Sequence, residues 1–193
     1  MMMRKSLLTA LFLCAGTVAQ AQPQGGEQLF LIPPAGWTVA FHEVKDNIET
    51  TRLLPPGQSL QTWNDMLTVE LMQGKPMSDA QTALRNHLQP IHDNCADLGA
   101  GPPQLSAENG YDTGLRAVAC PKTRDDQRGL IGLYKVILGR DRTYFIGRTW
   151  VGKSFDKDKI PLPAQTSDEW LAFMGKVALC DPREKTHPCP LTK

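Results

Sequence analysis

The sequence predicts an α+β fold: an antiparallel sheet of about six strands, with helices packed against it and two disulfides. Apolar and polar residues alternate in six segments, which form two groups of three. This two-residue period is typical of half-buried strands. A stretch with apolar residues every three or four positions follows each group, which is the period of a helix. Short polar turns join neighbouring strands, so hairpins outnumber crossovers and an antiparallel sheet is expected. A length of 193 residues suits one hydrophobic core.

The first three strands are expected at residues 37–42, 48–54 and 67–74, where apolar and polar residues alternate. The polar turn Lys45-Asp46-Asn47 makes a hairpin of the first two. Between the second and third strands, Ser59 is expected to cap a short helical turn that carries Trp63.

The first helix follows, with Ser78 or Asp79 as its N-cap. Its apolar positions, spaced by three and four, are Ala80, Leu84, Leu88, Ile91 and Cys95. Pro90 lies inside this pattern and is expected to kink or end the helix near Gln89, because proline removes a backbone hydrogen bond and clashes with the preceding turn.

After a Gly/Pro-rich stretch at 99–103, three more strands are expected at 115–120, 130–138 and 144–151. The second of these is almost continuously apolar, so it is expected near the centre of the sheet, covered on both faces. In the final helix, Thr166 and Glu169 fit a capping box and Val177 belongs to the apolar stripe. This helix is expected to stop at Cys180-Asp181-Pro182.

The first 21 residues have the pattern of a signal peptide. Arg4 and Lys5 precede a short apolar run that is about half the length needed to cross a bilayer. Ala19-Gln20-Ala21 fits cleavage after Ala21, which predicts a mature single α+β domain at 22–193 without a transmembrane segment. Cys14 offers the alternative of a lipid anchor, but Leu13 stands where that cleavage requires a small residue.

The charge balance excludes a polyanion-binding protein. The chain carries 21 basic and 20 acidic residues, and removal of Arg4 and Lys5 leaves a net charge of −1. No field of one sign remains to attract nucleic acid or an acidic membrane.

The mature chain contains Cys95, Cys120, Cys180 and Cys189, an even number that predicts disulfides in an exported protein. Three pairings are possible. The preferred one joins Cys180 to Cys189, which closes a small C-terminal loop, and leaves Cys95 with Cys120. The alternative is a metal site that includes His87, but it lacks a C-x-x-C or H-x-x-x-H pair, and no metal ligand is predicted.

One catalytic pattern matches by letter. Gly147 to Ser154 reads G-x-x-x-x-G-K-S, the pattern of a phosphate-binding loop. That loop needs a parallel strand before it and a helix after it, whereas this segment is strand-like and is followed by Pro161 and Pro163. No nucleophile elbow, zinc-protease or dinucleotide motif is present, so no catalytic residue and no cofactor are predicted. The tryptophans are expected to be mainly core anchors; they are Trp37, Trp63, Trp150 and Trp170.

The element order and three short segments resemble uncharacterised exported proteins of Gram-negative bacteria. The segments are Pro34-Ala-Gly36-Trp37, Pro56-Gly57 to Trp63, and Cys180-Asp181 to His187-Pro188-Cys189. Over residues 29–180 the architecture resembles the Mog1/PsbP-like group, which includes periplasmic DcrB-type proteins and secretion-effector chaperones. The resemblance implies a small sheet-and-helix module that binds a protein or an assembly without catalysis, and it transfers no site residues.

The leading hypothesis is therefore a periplasmic, non-catalytic binding or assembly module with a protein partner in the cell envelope. The alternative is a periplasmic or secreted hydrolase whose site residues are scattered in the sequence. A third hypothesis is an effector or inhibitor released to the medium. A convergent pocket of titratable groups would favour the enzyme, whereas an apolar groove would favour partner binding.

Overall fold

A computed structural model describes residues 26–74 and 77–190. The predicted signal peptide at 1–21, with its alternative Cys14, lies outside the described residues. The strands are β1 Gln28–Phe30, β2 Thr38–Lys45, β3 Ile48–Leu54, β4 Asp65–Gln73, β5 Gly99–Ala100, β6 Gln104–Glu108, β7 Tyr111–Cys120, β8 Gly129–Leu138, β9 Arg142–Gly152 and β10 Ala178–Cys180. The helices are α1 Ala80–Asn94 and α2 Ala164–Lys176.

The predicted α+β class is confirmed, with a larger sheet than expected. Eight strands form one antiparallel sheet in the order β2-β3-β4-β9-β8-β7-β5, and β6 also pairs with β7. Of the two added strands, β5 lies inside the Gly/Pro-rich stretch at 99–103 and β6 directly follows it. A separate two-stranded sheet joins β1 to β10.

The two helices pack on opposite faces of the large sheet, so the core has two parts. On one face α1 covers β7 and β8; the buried residues there are Ala80, Ala83, Leu84, Leu88, Val118, Tyr134, Val136 and Phe145. On the other face α2 covers a larger cluster, whose buried residues include Leu67, Ile137, Tyr144, Ile146, Trp170 and Met174. As expected, β8 is covered on both sides, and it lies beside the central strand β9.

The start of α1 is as predicted, and its end is not. Asp79 is the N-cap, and its Oδ1 accepts a hydrogen bond from the Thr82 amide at 2.7 Å. Pro90 was expected to kink or end the helix near Gln89; it does not end the helix, because α1 continues to Asn94. The last turns of α1 are held against the sheet on both sides of Pro90. Leu88 is buried before the proline, and the disulfide of Cys95 follows the helix.

Both predicted ends of α2 are wrong. Pro163 is the N-cap, so Thr166 lies inside the first turn and no side chain caps the helix. At its C-terminal end the helix stops at Lys176, because the chain turns to form β10 and pairs with β1. The residues from Ala178 to Cys180 therefore form strand hydrogen bonds with β1. If the helix were longer, the backbone groups of β1 would lack these partners.

The hairpin between β2 and β3 is confirmed. Asp46 and Asn47 have φ angles of 49° and 66°, the left-handed pair that a two-residue hairpin turn requires. The segment after β3 has two hydrogen-bonded turns: the Gln58 amide donates to the Pro55 carbonyl at 3.3 Å, and the Thr62 amide donates to the Ser59 carbonyl at 3.0 Å.

Two disulfides are present, in the preferred connectivity. Cys95 and Cys120 join the residue after α1 to the end of β7, with their Cα atoms 5.8 Å apart. Cys180 and Cys189 close the C-terminal loop, with their Cα atoms 4.8 Å apart. Among the described residues, no helix is both long and apolar enough to span a bilayer.

Candidate functional site

Arg148 is a charged residue at the centre of the sheet. It lies on β9 in phase with Ile146, so its side chain points to the face that α2 covers. Its cross-strand neighbours are Leu67 on β4 and Leu133 on β8, and both are buried. Arg148 itself is only 7% exposed. An arginine in such surroundings needs a counter-ion and hydrogen bonds to offset the loss of water.

Asp65 supplies that counter-ion. Arg148 Nη2 lies 2.9 Å from Asp65 Oδ2 and 3.3 Å from Oδ1. Burial raises the pKa of Asp65, and the adjacent Arg148 guanidinium opposes that rise. Within the described residues, Arg148 Nε and the indole nitrogen of Trp170 are buried without a hydrogen-bond partner. The pair therefore leaves part of the hydrogen-bonding capacity of this region unused.

Three aromatic rings surround the guanidinium group. Its carbon lies 4.5 Å from the ring centre of Trp37, 5.1 Å from Trp170 and 5.7 Å from Phe173. A planar guanidinium stacks well on aromatic faces, so these contacts replace part of its lost hydration. Trp170 and Phe173 come from one face of α2, three positions apart.

Two turns outside the sheet position Trp37 and Asp65. The Trp37 amide donates to the Pro34 carbonyl at 3.1 Å, and Gly36 between them has a φ of 79°, which glycine adopts without strain. Asp65 follows a turn held by Gln58, whose Oε1 accepts from the Asn64 amide at 2.8 Å and from the Asp65 amide at 3.2 Å.

An open cleft of about 870 Å³ lies over this arginine, between α2 and the turns before β2 and β4. We call it the Arg148 cleft. Seven of its seventeen lining residues are aromatic or proline: Trp37, Trp150, Phe173, Pro34, Pro55, Pro161 and Pro163. Glu169 and Lys176 on α2 add charges to the lining. An apolar cleft with a few polar groups at its base is the usual form of a binding site.

The sequence predicted neither Arg148 nor Asp65 as site residues. A signal was present, because Arg148 falls in phase with Tyr144, Ile146 and Trp150, the apolar positions of the predicted strand. The segment from Gly147 to Gly152, which matches the phosphate-loop pattern, is part of antiparallel β9. No helix begins directly after this segment, because the chain passes Pro161 and Pro163 before α2 begins at Ala164.

The tryptophans divide between core and surface clefts. Trp170 is a core residue, as expected, at 3% exposure. Trp37 and Trp150 pack against the same core but also line the Arg148 cleft, and Trp63 lines a groove on the opposite face. The expectation that all four are mainly core anchors is therefore wrong for Trp63.

The predicted cysteines lie away from the cleft, in the two disulfides. His87 packs against the sheet, where its ring stacks on Phe145 with a centroid distance of 4.1 Å. Across residues 26–74 and 77–190, no three His, Cys, Asp or Glu side chains converge as metal ligands.

No protein-family model matches the sequence, and no curated protein sequence matches it. Solved structures do match the fold. The Ran-binding protein Mog1p of Saccharomyces cerevisiae superposes with a TM-score of 0.51 at 14% identity, over 78% of this chain and 92% of that chain. A mutant of a protein named Mog1 aligns with a TM-score of 0.47 at 13% identity, over 78% of this chain and 85% of that chain. The likeness to Mog1p shows that this chain has a Mog1/PsbP-like fold.

Proposed function

We propose that this chain is an exported, periplasmic, non-catalytic binding module that holds an extended segment of a partner protein in the Arg148 cleft. The observation that carries the proposal is the cleft itself: about 870 Å³, walled by aromatic and proline side chains, with a neutralised Arg148–Asp65 pair at its base. Aromatic-lined grooves of this kind bind extended proline-rich segments, whose chain is already stiff and loses little entropy on binding.

The charged residues of the cleft support binding rather than hydrolysis. Asp65 is paired with Arg148, and Glu169 accepts a hydrogen bond from Gln165 at 3.1 Å. A hydrolase needs a carboxylate or imidazole within reach of a nucleophile or water, and these carboxylates are engaged with other side chains.

The export part of the proposal rests on the pattern at 1–21 and on the two disulfides, which persist in oxidising compartments. The mature chain is then residues 22–193, a single α+β domain. Its net charge of −1 favours a protein partner in the cell envelope over nucleic acid. The fold is also that of Mog1p, which is described as a Ran-binding protein.

Site-specific photo-crosslinking in cells tests the cleft as the binding surface. A photo-reactive amino acid replaces Phe173, which lines the cleft, or Leu171, which lies on the same helix and is 46% exposed. We expect position 173 to crosslink to one segment of one envelope protein, and position 171 not to do so. Equal crosslinking from both positions, or none from position 173, would contradict the proposal.

A synthetic peptide of the crosslinked segment completes the test. We expect the Phe173→Ala variant to bind it at least about tenfold more weakly than wild type, and the matched Leu171→Ala variant to bind it normally. Cleavage of the peptide by the wild-type chain would replace this proposal with the hydrolase alternative.

A further inference from the structure

A small pocket beside α1 is lined by two arginines, Arg85 and Arg116. It has a volume of about 280 Å³ and lies between α1 and the edge of the sheet where β5 pairs with β7. We call it the Arg116 pocket. The helix contributes positions 85, 88, 89 and 92, which is the spacing of one helix face. The Arg116 pocket shares no lining residue with the Arg148 cleft, so the two sites can be tested independently.

Arg116 points from the middle of β7 towards α1. It is in phase with Gly114 and Val118 on that strand. Val118 belongs to the core cluster under α1, and a Cβ at Gly114 would lie 2.8 Å from the side chain of Leu84. A partly buried arginine therefore lies on the face of the strand that packs against the helix.

The edge of β7 is open at Arg116. β5 pairs with positions 118 and 119, and β6 pairs with positions 111–115, so Arg116 lies in the gap between these two strands. Its Nε donates to the Gly101 carbonyl at 3.0 Å, which fixes the guanidinium at this gap. Within the described residues its Nη atoms form no hydrogen bond, so their N–H groups are free to bind a ligand.

No carboxylate neutralises the pocket. The arginines that form ion pairs are Arg128, Arg140, Arg148 and Arg183. Across residues 26–74 and 77–190, neither Arg85 nor Arg116 forms an ion pair, and no aspartate or glutamate lines the pocket. Arg85 has only a neutral contact, from Nη2 to Thr82 Oγ1 at 3.4 Å. Two positive charges that share one pocket repel each other, and an anion between them removes this repulsion.

The walls of the pocket are apolar and held in place. Leu88 and Val118 are buried, and Leu98 is partly buried beside them. The disulfide between Cys95 and Cys120 joins the residue after α1 to the end of β7. The two elements that carry the arginines are therefore cross-linked, and a preformed site loses less entropy when it binds a ligand.

We propose that the Arg116 pocket binds a small phosphate monoester. The phosphate lies between the guanidinium groups of Arg85 and Arg116, and the organic group contacts Leu88, Leu98 and Val118. Guanidinium groups donate paired, charge-assisted hydrogen bonds to phosphate oxygens. A phosphate monoester carries nearly two negative charges at neutral pH, which matches two arginines better than a carboxylate does. The net charge of −1 gives the mature chain no field that attracts nucleic acid, so a single phosphate group is the better ligand.

Titration of the full mature chain with phenyl phosphate, followed by two-dimensional NMR, tests this proposal. We expect saturable shifts of the Arg116 Nε–H group and of the Leu98 and Ala100 amides. Benzoate, which carries one charge, and phenol, which carries none, are the matched probes. We expect both to bind at least about tenfold more weakly than phenyl phosphate, and inorganic phosphate to bind at least about threefold more weakly because it lacks the apolar group.

The phosphate group could also belong to a lipid, and vesicles of phosphatidylcholine with phosphatidate distinguish this source. We expect the chain not to sediment with them, because its net charge does not attract an acidic membrane. Sedimentation that is lost in the Arg116→Gln variant would overturn the assignment to a small soluble ligand.

Charge-removing variants locate the site. We expect Arg85→Gln and Arg116→Gln each to weaken phenyl phosphate binding at least about tenfold. Arg140→Gln is the matched control and should bind normally, because Arg140 is already paired with Glu184. Arg85 is exposed, and an unaltered amide spectrum outside the pocket shows that its variant is folded.

Three results would overturn the proposal: no saturable shifts with phenyl phosphate, equal binding by Arg85→Gln, or equal binding of phenol. Inorganic phosphate that binds as tightly as phenyl phosphate would overturn the contact with the apolar wall. Phe173→Ala, in the Arg148 cleft, is expected to bind phenyl phosphate normally. Failure here is therefore distinct from failure of the proposed peptide cleft.

Discussion

Lys135 is a buried cation that closes the end of a helix. Its side chain is 2% exposed and points from β8 to the C-terminal end of α2. Nζ donates to the carbonyls of Met174 and Val177, both at 2.9 Å, and to Glu108 Oε2 at 2.6 Å. The last carbonyls of a helix lack partners within it, and a cation there also complements the helix dipole.

We expect Lys135→Met to lower the free energy of unfolding by about 3 kcal/mol, because the Val177 carbonyl loses its donor, the Met174 carbonyl keeps only the Val177 amide, and Glu108 loses its counter-ion. Urea unfolding measures this change. Lys176→Met, at an exposed position of the last turn of α2, is the control and should stay within about 0.5 kcal/mol of wild type. A Lys135→Met variant as stable as that control would show that the carbonyls find other donors.

At the scale of single elements, the sequence predicted what local periodicity determines. The hairpin turn at Asp46 and the N-cap at Asp79 depend on a few neighbouring residues, and both were found. The ends of α2 depend instead on distant pairing, since β10 forms only because β1 is there to receive it. The role of Arg148 could not be predicted for a related reason, because its partners Asp65 and Trp37 are remote in sequence.

The stability of α1 against the sheet should depend on pH through His87. Burial lowers the pKa of His87 from the ordinary value of 6.5. Below that value the unfolded chain binds a proton that the folded chain does not bind, so the free energy of unfolding falls as the pH decreases towards the folded pKa. Glu70 and Tyr134 face the ring, and burial raises the pKa of Tyr134 to about 12, so its hydroxyl stays neutral over this window.

We therefore expect His87→Phe to lose less stability than wild type between neutral pH and about pH 5, by up to about 1.4 kcal/mol per pH unit within the window. The variant keeps a ring on Phe145 and removes the titrating group. Thermal unfolding across this pH range gives the comparison. His92→Phe, an exposed position of the same helix, is the control, and identical pH profiles for wild type and His87→Phe would refute the assignment.

The C-terminal loop is held by more than its disulfide. Asn109 Nδ2 donates to the carbonyls of Leu179 at 2.8 Å and Pro188 at 3.1 Å. The His187 ring packs on Tyr111 at 4.3 Å. Hydrogen bonds from Arg183 lower the pKa of Asp181 to about 2, so this carboxylate stays charged at neutral pH and fixes the turn.

We expect replacement of Cys180 and Cys189 by alanine to cost about 2.5 kcal/mol, the chain-entropy value for a cross-link between residues nine positions apart. The native loop should nevertheless keep its geometry through Asn109 and Asp181. Urea unfolding measures the first effect, and amide hydrogen exchange of Asp181 and His187, both backbone donors within the loop, measures the second. Exchange in the variant as fast as in an unfolded chain would show that the disulfide alone orders the loop.

At the scale of the whole molecule, the fold separates two surfaces by a sheet that is covered on both faces. The Arg148 cleft uses residues that point towards α2, and the groove that Trp63 lines on the opposite face uses the alternate residues of the same strands. On β9, Arg148 and Trp150 belong to the first surface, whereas Gly147 and Thr149 belong to the second. Strand alternation thus lets one strand contribute to two surfaces without sharing a side chain.

Export, if it occurs as proposed, must leave a defined product. Intact-mass measurement of the protein from a periplasmic fraction should give a chain that starts at Gln22, because Ala19-Gln20-Ala21 places the cleavage there. Formation of the two disulfides should lower that mass by four hydrogen atoms, which return on reduction. A chain that keeps residues 1–21 would contradict cleavage. A mass increased by acyl chains at Cys14 would establish the lipid-anchored alternative, and recovery mainly from the culture medium would favour a secreted effector or inhibitor.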